Sequence, residues 1–568
     1  MHTYPIATSD LPRAHASIYV QIQFQQTNRA ITFCLAVPMA KVAVLDEQLA
    51  GETPAAKEIL LLLLPLLLLL VLLRCRGRGQ GRKKLPPSPP ALPLIGHVHL
   101  VGALPHVSLR HLAEQYGGED GFMMLRLGVV PTLVASSAHA AQAVLRTHDQ
   151  SFASRPRSVC GDVLSYGPSD IGLAPYGERW RLAKKLATTQ LLSSKKVNSY
   201  RAAREEEVAL VIKKISGAAE TRTVVDMSEL LSNFTRDMVS RAVTGRSFRV
   251  EGKDRVFKEL IDEGMALLAG FNMENFYPGL ATAAGGMLVR PVQRKAERVR
   301  DRWDRILDKL IDEHTSEKAT APVHFEDEDG ERDFIHVLLS VEEEYRLTRE
   351  GIKGILINMF SAGTDTAYLV LEFAMAELML HQEAMAKLQH EVWSSIPEDQ
   401  NTVNEDNLIG MTYLKAVIKE TLRLHPPSPL LLPHFSLEGC DVESFEFHAG
   451  TTVLVNVWAI GRDPKVWDAA EEFMPERFIE NGEIKGADFR GKDFQLLPFG
   501  SGRRMCPGMN FAVASIEIML ANIVYHFDWK LPKGVDKIDM TEVPGLTVSR
   551  KEKLLLVPVM RHCPPTKG

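Results

Sequence analysis

The stretch of sequence that decides the fold reads Pro498-Phe499-Gly500-Ser501-Gly502-Arg503-Arg504-Met505-Cys506-Pro507-Gly508. It holds a single cysteine, and no further Cys or His stands close to it in the chain, as a zinc site would need. The glycines let the backbone pass close to a flat cofactor, where a side chain would collide. The arginines offer a planar fork of donors that suits a carboxylate.

One soft ligand beside such a fork indicates haem-thiolate iron rather than zinc, with Cys506 as the metal ligand. The alternative is a glycine-rich surface loop that holds a free cysteine, since cysteine often behaves as a small buried hydrophobe. The spacing of Phe499, Gly502, Arg504, Cys506 and Gly508 resembles the haem-binding signature of the cytochrome P450 family, Phe-x-x-Gly-x-Arg-x-Cys-x-Gly. The resemblance implies a P450 fold, mainly α with small β-sheets, that binds haem b through Phe499, Arg504, Cys506 and Gly508.

The bulk composition is that of a globular protein. Of the 568 residues, 45% are hydrophobic and 24% are charged, and no internal repeat divides the chain. A net charge of -5 gives no reason to expect a nucleic acid as partner. The six cysteines are widely scattered, which suits a reducing compartment and argues against a disulfide framework.

Residues 59–73 are almost pure leucine, broken only by Pro65 and Val71 after the initial isoleucine. As a helix this run rises ~22 Å, less than the ~30 Å of hydrocarbon, yet leucine partitions strongly enough for insertion. Arginines and lysines follow between Arg74 and Lys84, so the remaining chain is expected in the cytosol. A cleaved signal peptide is the alternative, but no small-residue cleavage site follows the run.

Four segments are predicted from this pattern. Residues 1–58 form an N-terminal extension, disordered or mispredicted, of which the first 38 are expected to be unused because Met39 offers a start nearer the anchor. Residues 59–73 are a transmembrane signal-anchor, residues 74–93 a basic and proline-rich linker, and residues 94–568 the catalytic domain. The proline density from Leu85 onward favours a stiff, extended connector.

A second motif, Ser361-Ala362-Gly363-Thr364-Asp365-Thr366-Ala367, follows apolar residues at helical spacing. Ala362, Gly363 and Thr366 share one stripe of the helix, where small residues permit close approach of a flat ligand. The motif resembles the distal helix of P450 enzymes, which implies that Asp365 and Thr366 organise water and deliver protons. The alternative is a kinked core helix in which Thr366 bonds back to a carbonyl one turn earlier.

A scaffold motif places Glu420 and Arg423 one helical turn apart. Alone, such a pair is worth only tenths of a kcal/mol on a helix surface. The later stretch Phe473-Met474-Pro475-Glu476-Arg477-Phe478 resembles the companion motif of the family. The resemblance implies a buried network of Glu420, Arg423 and Arg477 that serves folding and haem retention.

Three further cofactor contacts are implied by the same resemblance. Trp180 and Lys184 lie on a helix whose relatives reach a haem propionate, although those relatives carry arginine where this chain has Lys184. His434 stands where arginine is common, and a neutral histidine donates to a propionate only weakly. We therefore expect weakened haem retention. Simple helix packing is the alternative for Trp180, and Lys184 also fits a basic face that docks an electron donor.

The resemblance runs from about Leu85 to about Pro558 and is greatest to the plant microsomal branch near family 71. It implies substrate contacts at residues 160–174, 358–362, 429–432 and 544–547, which are mostly apolar. The predicted function is a monooxygenase of a small or medium hydrophobic specialised metabolite. It uses O2 and electrons from NADPH through NADPH-cytochrome P450 reductase, at the endoplasmic reticulum membrane.

Three rival functions stay open from the sequence. An O2-independent isomerase or dehydratase would not need the distal threonine, and a non-catalytic haem-binding protein would not need the pair of Asp365 and Thr366. A decayed paralogue is suggested by Lys184, His434 and the unusual N-terminus. The sequence selects no single substrate; indole-derived defence compounds are one class, and terpenoid, phenylpropanoid and oxime substrates are others.

Overall fold

The computed structural model describes residues 85–167, 170–252, 254–270, 272–279, 286–320 and 332–561. All of them belong to one compact unit, residues 83–568. The predicted extension, the anchor at residues 59–73 and most of the linker lie outside the described residues. The fold is mainly helical with small sheets, as predicted.

Helices dominate the described chain. In chain order they are α1 Pro105–Tyr116, α2 Ala138–Gln142, α3 Asp149–Phe152, α4 Val159–Leu164, α5 Glu178–Leu186, α6 Ser194–Ser199, α7 Arg201–Thr221, α8 Met227–Thr244, α9 Phe248–Glu251, α10 Asp254–Ala269, α11 Met273–Phe276, α12 Arg290–Thr320, α13 Phe334–Ser340, α14 Arg349–Leu380, α15 Gln382–Ser395, α16 Thr412–Leu424, α17 Val457–Ile460 and α18 Met509–His526. Short 3-10 turns at Val98–Leu100, Asn407–Gly410, Pro475–Phe478 and Gly502–Arg504, and π-turns at Ala143–Thr147 and Ala187–Leu191, complete the set.

The strands are short. They are β1 Phe122–Leu127, β2 Val130–Ala135, β3 Val225–Asp226, β4 His434–Phe435, β5 Cys440–Val442, β6 Phe445–Phe447, β7 Thr452–Val455, β8 Ile479–Glu480, β9 Glu483–Ile484, β10 Phe527–Lys530, β11 Glu542–Val543, β12 Ser549–Arg550 and β13 Leu555–Met560. The largest sheet has the order β1-β2-β7-β4, and a second has the order β10-β13-β3. The strand β2 runs parallel to β7 with Leu133 opposite Val453, and the short edge strand β4 places His434 opposite the same Val453.

Side-chain caps explain where several helices begin. The Ser158 hydroxyl accepts a hydrogen bond from the amide of Gly161 at the start of α4. Thr348 accepts from the amide of Gly351 at the start of α14. These hydroxyls satisfy amides that have no partner within their own helix. The two caps therefore fix the first turns of elements that later converge on the site.

The long helix α14 forms the centre of the core. It packs along α8 and also contacts α16 and α18. Two helices, Arg349–Leu380 and Met509–His526, are long and apolar enough to cross a membrane, but 56% and 50% of their most apolar windows are buried inside the fold. Burial of this kind is expected of core helices in a large globular domain. The fold thus packs α14 against α18, the helix that follows the cysteine loop.

Candidate functional site

The cysteine loop is held by its own backbone. The amide of Cys506 donates to the carbonyl of Phe499 at 2.9 Å, which closes the loop, and Gly508 caps the start of α18. Gly502 has a φ of +66°, and a Cβ there would lie 2.2 Å from the carbonyl oxygen of Leu145. Only glycine fits at that position. The loop therefore presents Cys506 at the N-terminus of α18.

Burial raises the pKa of the Cys506 thiol, while the amide of Gly508 and the ammonium of Lys184 act in the opposite direction. The Cys506 side chain nevertheless has an exposed surface. A side chain that is deep in the fold and still exposed opens onto an internal cleft. The helix N-terminus and the cation act toward the thiolate form, against the larger effect of burial.

Two arginines and one lysine converge beside the loop. Arg504 donates to the carbonyl oxygens of Ala153 and Ala174, each at 2.6 Å, and its guanidinium lies 4.0 Å from the centre of the Trp180 ring. Arg155 donates to the carbonyl oxygens of Leu432 and Pro433, at 2.7 and 2.9 Å. Because these partners are neutral carbonyls, they do not neutralise the positive charges of the two arginines.

The charges of this cluster are costly as they stand. Burial, and then the neighbouring Arg504, lowers the pKa of Arg155 to about 9. Burial also lowers the pKa of Arg504 to about 10 and that of Lys184 to about 8. The facing carboxyl is Asp170, whose own pKa is raised by burial. Three cations that face one buried carboxyl leave an excess of positive charge, which fits the propionate groups of haem.

Trp180 and His434 lie in this cluster but make protein contacts. The Trp180 indole donates to the carbonyl of Ile171 at 2.9 Å and provides the face on which Arg504 stacks. A ring nitrogen of the buried His434 lies 3.0 Å from the carbonyl oxygen of Phe152. Burial, and then Arg155, lowers the pKa of His434 well below its usual value, so this ring is neutral. Its neutral ring donates to that carbonyl.

Arg155 is the residue that sequence analysis missed. It belongs to the run Phe152-Ala153-Ser154-Arg155-Pro156, which indicated only the branch of the family. In the structure it donates to Leu432 and Pro433, directly before His434, so that a guanidinium lies close to the position where the family resemblance leads one to expect an arginine. The signal available in the sequence was one arginine between small residues and a proline, which gives no direction for its side chain.

The middle of α14 is the second part of the candidate site. Ala362 is exposed although the helix around it is largely buried. The Thr366 hydroxyl donates to the carbonyl of Ala362 at 2.8 Å, the back-bonded arrangement that the alternative interpretation described. Gly363 packs against α8, because a Cβ there would lie 2.9 Å from Cγ2 of Val239. Helix packing therefore explains the glycine, and its predicted role toward a flat ligand stays a prediction.

Asp365, a residue of α14, lies near charged side chains of α8 and α10. Burial, and then Asp262 on α10, raises the pKa of this carboxyl to about 6, against the opposing effects of Lys258 and Arg236. Lys258 is paired with Asp262 at 2.8 Å. A carboxyl that titrates close to neutral pH can both take up and release a proton, which general acid–base chemistry needs.

The predicted scaffold network is present. Arg423 forms two hydrogen bonds with the carboxylate of Glu420, at 2.7 and 2.8 Å, and both side chains are fully buried. Arg477 donates to the same carboxylate at 2.9 Å. Arg423 also donates to the carbonyls of Gly461 and Ala470, each at 2.6 Å. The network ties α16 to the chain before the cysteine loop.

A second polar link joins α14 to the loop after α4. The amide group of Asn358 donates to Asp170 at 3.0 Å and accepts from the amide of Gly172 at 3.0 Å. Asp170 in turn accepts from the amide of Leu173 at 2.6 Å. This link fixes the loop that sequence analysis assigned to substrate contact against the helix that carries Ala362 and Thr366.

Excess positive charge around an accessible thiol is the setting that a haem-thiolate enzyme needs. The family model for cytochrome P450 matches residues 86–557, and the chain belongs to that family. Its relatives include plant enzymes of family 71. The protein is therefore a P450 monooxygenase with haem b as cofactor and a hydrophobic substrate.

Several of the similar proteins come from Zea mays, among them two monooxygenases. An indole-2-monooxygenase is 54% identical over 476 residues, which cover 83% of this chain and 87% of that protein. An indolin-2-one monooxygenase is 50% identical over 484 residues, 84% of this chain and 89% of that protein. A zebrafish cytochrome P450 solved with abiraterone is similar in fold, with a TM-score of 0.65 and 24% identity over 81% of this chain and 100% of that chain.

Proposed function

We propose that this monooxygenase hydroxylates a small bicyclic substrate of the indole or indolin-2-one type. The observation that carries the proposal is the identity of 54%, 50% and 47% to three Zea mays enzymes named for indole, indolin-2-one and 3-hydroxyindolin-2-one. Apolar residues in the predicted contact stretches, such as Leu173, Met359 and Leu432, suit a compact apolar ring system.

A buried acceptor favours a substrate that carries an N–H group. Glu274 on α11 is only 7% exposed, and its Oε1 has no hydrogen-bond partner among the described residues. It lies close to Cys160, the first residue of a predicted contact stretch. Burial, and then the proximity of Glu274, raises the pKa of the Cys160 thiol. An unpaired buried acceptor costs about 1–3 kcal/mol, which a donor on the substrate would offset.

The residues of the site have distinct proposed roles. Cys506 is the metal ligand, while Arg504, Arg155 and Lys184 neutralise the propionates and Trp180 and His434 support them. Phe499 and Gly508 shape the loop against the ring. Bound haem supplies oxygen activation, and the thiolate donates the electron density that favours O–O cleavage.

Asp365 and Thr366 are proposed to handle protons. The Thr366 hydroxyl donates to Ala362 and keeps its lone pairs for water in the cleft. Asp365 exchanges protons with solvent because its pKa of about 6 lies near neutral pH. The pair therefore supplies protons without opening the apolar cleft to bulk water.

We also propose NADPH-cytochrome P450 reductase as the electron donor and the endoplasmic reticulum membrane as the location. The support for a single-pass anchor is the leucine run at residues 59–73 with the positive residues after it. Arg181 and Lys185 on α5 extend the positive charge near the cysteine loop, which suits an acidic donor protein.

The test uses the full chain co-expressed with a plant reductase in microsomes. A reduced, CO-bound spectrum of the thiolate type shows an intact site, and its absence would support a decayed paralogue. Incubation with indole, indolin-2-one and 3-hydroxyindolin-2-one should give products one oxygen atom heavier, dependent on both NADPH and O2. Product formed without O2 would instead support the isomerase alternative, and Cys506→Ala serves as the matched control.

A further inference from the structure

Away from the haem cleft, two histidines and one aspartate meet between α12 and α13. His314 lies near the end of α12, Asp333 caps α13, and His336 lies in the first turn of α13. The ring Nε2 of His314 is 3.1 Å from Oδ2 of Asp333, and Nδ1 of His336 is 2.8 Å from the same oxygen. His314 and Asp333 are 1% and 5% exposed.

The hydrogen-bond roles at His314 require a proton or a metal ion between its Nε2 and Asp333. Its Nδ1 lies 2.7 Å from the carbonyl oxygen of Leu310, an atom that can only accept, so Nδ1 carries a hydrogen. A neutral ring then presents a lone pair at Nε2, and that lone pair faces the carboxylate oxygen of Asp333. Two acceptors at 3.1 Å repel each other unless a proton or a metal ion lies between them.

The geometry suits a metal ion. The ligand atoms of His314, Asp333 and His336 all lie within 4.8 Å of one another. Metal–ligand bonds of ~2.0–2.1 Å in a tetrahedral site set neighbouring ligands ~3.3 Å apart, close to the two contacts at Asp333. A backbone carbonyl on the other ring nitrogen is the usual support of a ligating histidine.

The carboxylate is also held in place. Oδ1 of Asp333 accepts the amide of His336 at 2.9 Å as the helix cap, which leaves Oδ2 directed at the two rings. Two imidazoles and one carboxylate are a donor set that binds zinc in preference to magnesium or calcium.

We propose that His314, Asp333 and His336 form a three-ligand site for Zn²⁺ that joins the end of α12 to the start of α13. The site is independent of the haem and of the substrate proposed above. Its role is structural, since it fixes the two helices that flank residues 321–331. The chain offers a matched control in a second cluster, Asp120, His139 and Glu443, which has one histidine and two exposed members.

The experiment measures the molar ratio of zinc to haem iron in the purified holoprotein. The protein is treated with EDTA, incubated with zinc sulfate at micromolar concentration, desalted and analysed by inductively coupled plasma mass spectrometry. Wild type and His139→Gln should retain equimolar zinc and iron, while His314→Gln and Asp333→Asn should lose at least nine-tenths of the zinc. The zinc X-ray absorption spectrum of wild type should show nitrogen and oxygen neighbours at ~2.0–2.1 Å.

The partly exposed His336→Ala variant covers the case in which the buried variants fail to fold. Its intact CO-bound spectrum would confirm folding, and its zinc content should fall to the same low level. Equal zinc in wild type and His336→Ala, or no zinc in wild type, would overturn the proposal and leave a proton between His314 and Asp333.

Discussion

Lys184 donates a hydrogen bond from Nζ to the carbonyl oxygen of Met505, the residue directly before Cys506. The helix α5 is therefore fastened to the cysteine loop itself. The family resemblance predicts that Lys184 contacts a propionate and that haem retention is weakened, because lysine lacks the guanidinium fork. The contact with Met505 gives the ammonium a structural partner on the same side of the cofactor.

Replacing Lys184 by Met should accelerate haem loss by about tenfold or more, because a charged hydrogen bond worth about 1.5–3 kcal/mol is removed. Transfer of haem to excess apomyoglobin measures the rate. Lys185→Met is the matched control, since its ammonium lies 5.8 Å from the Tyr345 ring and does not contact the loop. Equal rates for the two variants would contradict a specific role for Lys184.

Asp365→Asn should stabilise the protein at neutral pH. In the folded protein the pKa of Asp365 is about 6, against an ordinary value of 3.8. The protonated carboxyl therefore contributes its full stabilisation below pH 3.8, and this contribution is lost as the pH rises through 6. At pH 7.5 the buried carboxylate costs at most about 3 kcal/mol. Thermal midpoints of wild type and Asp365→Asn should therefore differ most at pH 7.5, differ less at pH 5 and converge below pH 3.8.

The same variant should lose coupled turnover by about 10²-fold, because a proton donor is removed. The measurement is product formed per NADPH consumed, with hydrogen peroxide as the uncoupled product. Asp262→Asn is the control, since it should only lower the pKa of Asp365 and leave coupling at pH 7.5 largely intact. A coupling ratio in Asp365→Asn equal to that of wild type would remove Asp365 from the proton route.

Arg423→Met should abolish recovery of holoprotein. It leaves the fully buried carboxylate of Glu420 without its bidentate partner, at a cost of about 3–5 kcal/mol. Soluble protein with a thiolate-type CO spectrum, normalised to total protein, measures the effect. Arg255→Met, which breaks an exposed pair with Glu259, should change stability by no more than about 0.5 kcal/mol. Similar yields for both would show that the network is not structural.

The sequence was sufficient for the fold and for the motifs whose chemistry is local. Cys506 with its glycines, and Glu420 with Arg423, are short-range patterns whose geometry follows from loop and helix periodicity. It was insufficient for Arg155 and Gly363, because their roles depend on elements distant in the chain. Arg155 is positioned by Leu432 and Pro433, and Gly363 by Val239, contacts that no spacing rule reveals.

Glu274→Gln should discriminate between substrates that carry an N–H group and those that do not. An amide can still accept through its oxygen but loses the charge, so an N–H donor should bind about tenfold more weakly. Low-spin to high-spin shifts titrated with indole and with N-methylindole measure both affinities in wild type and in the variant. The ratio of the two affinities should fall toward unity in the variant, while the affinity for N-methylindole stays within about twofold, because that ligand offers no donor. An equal loss for both ligands would mean that Glu274 shapes α11 and does not contact the ring nitrogen.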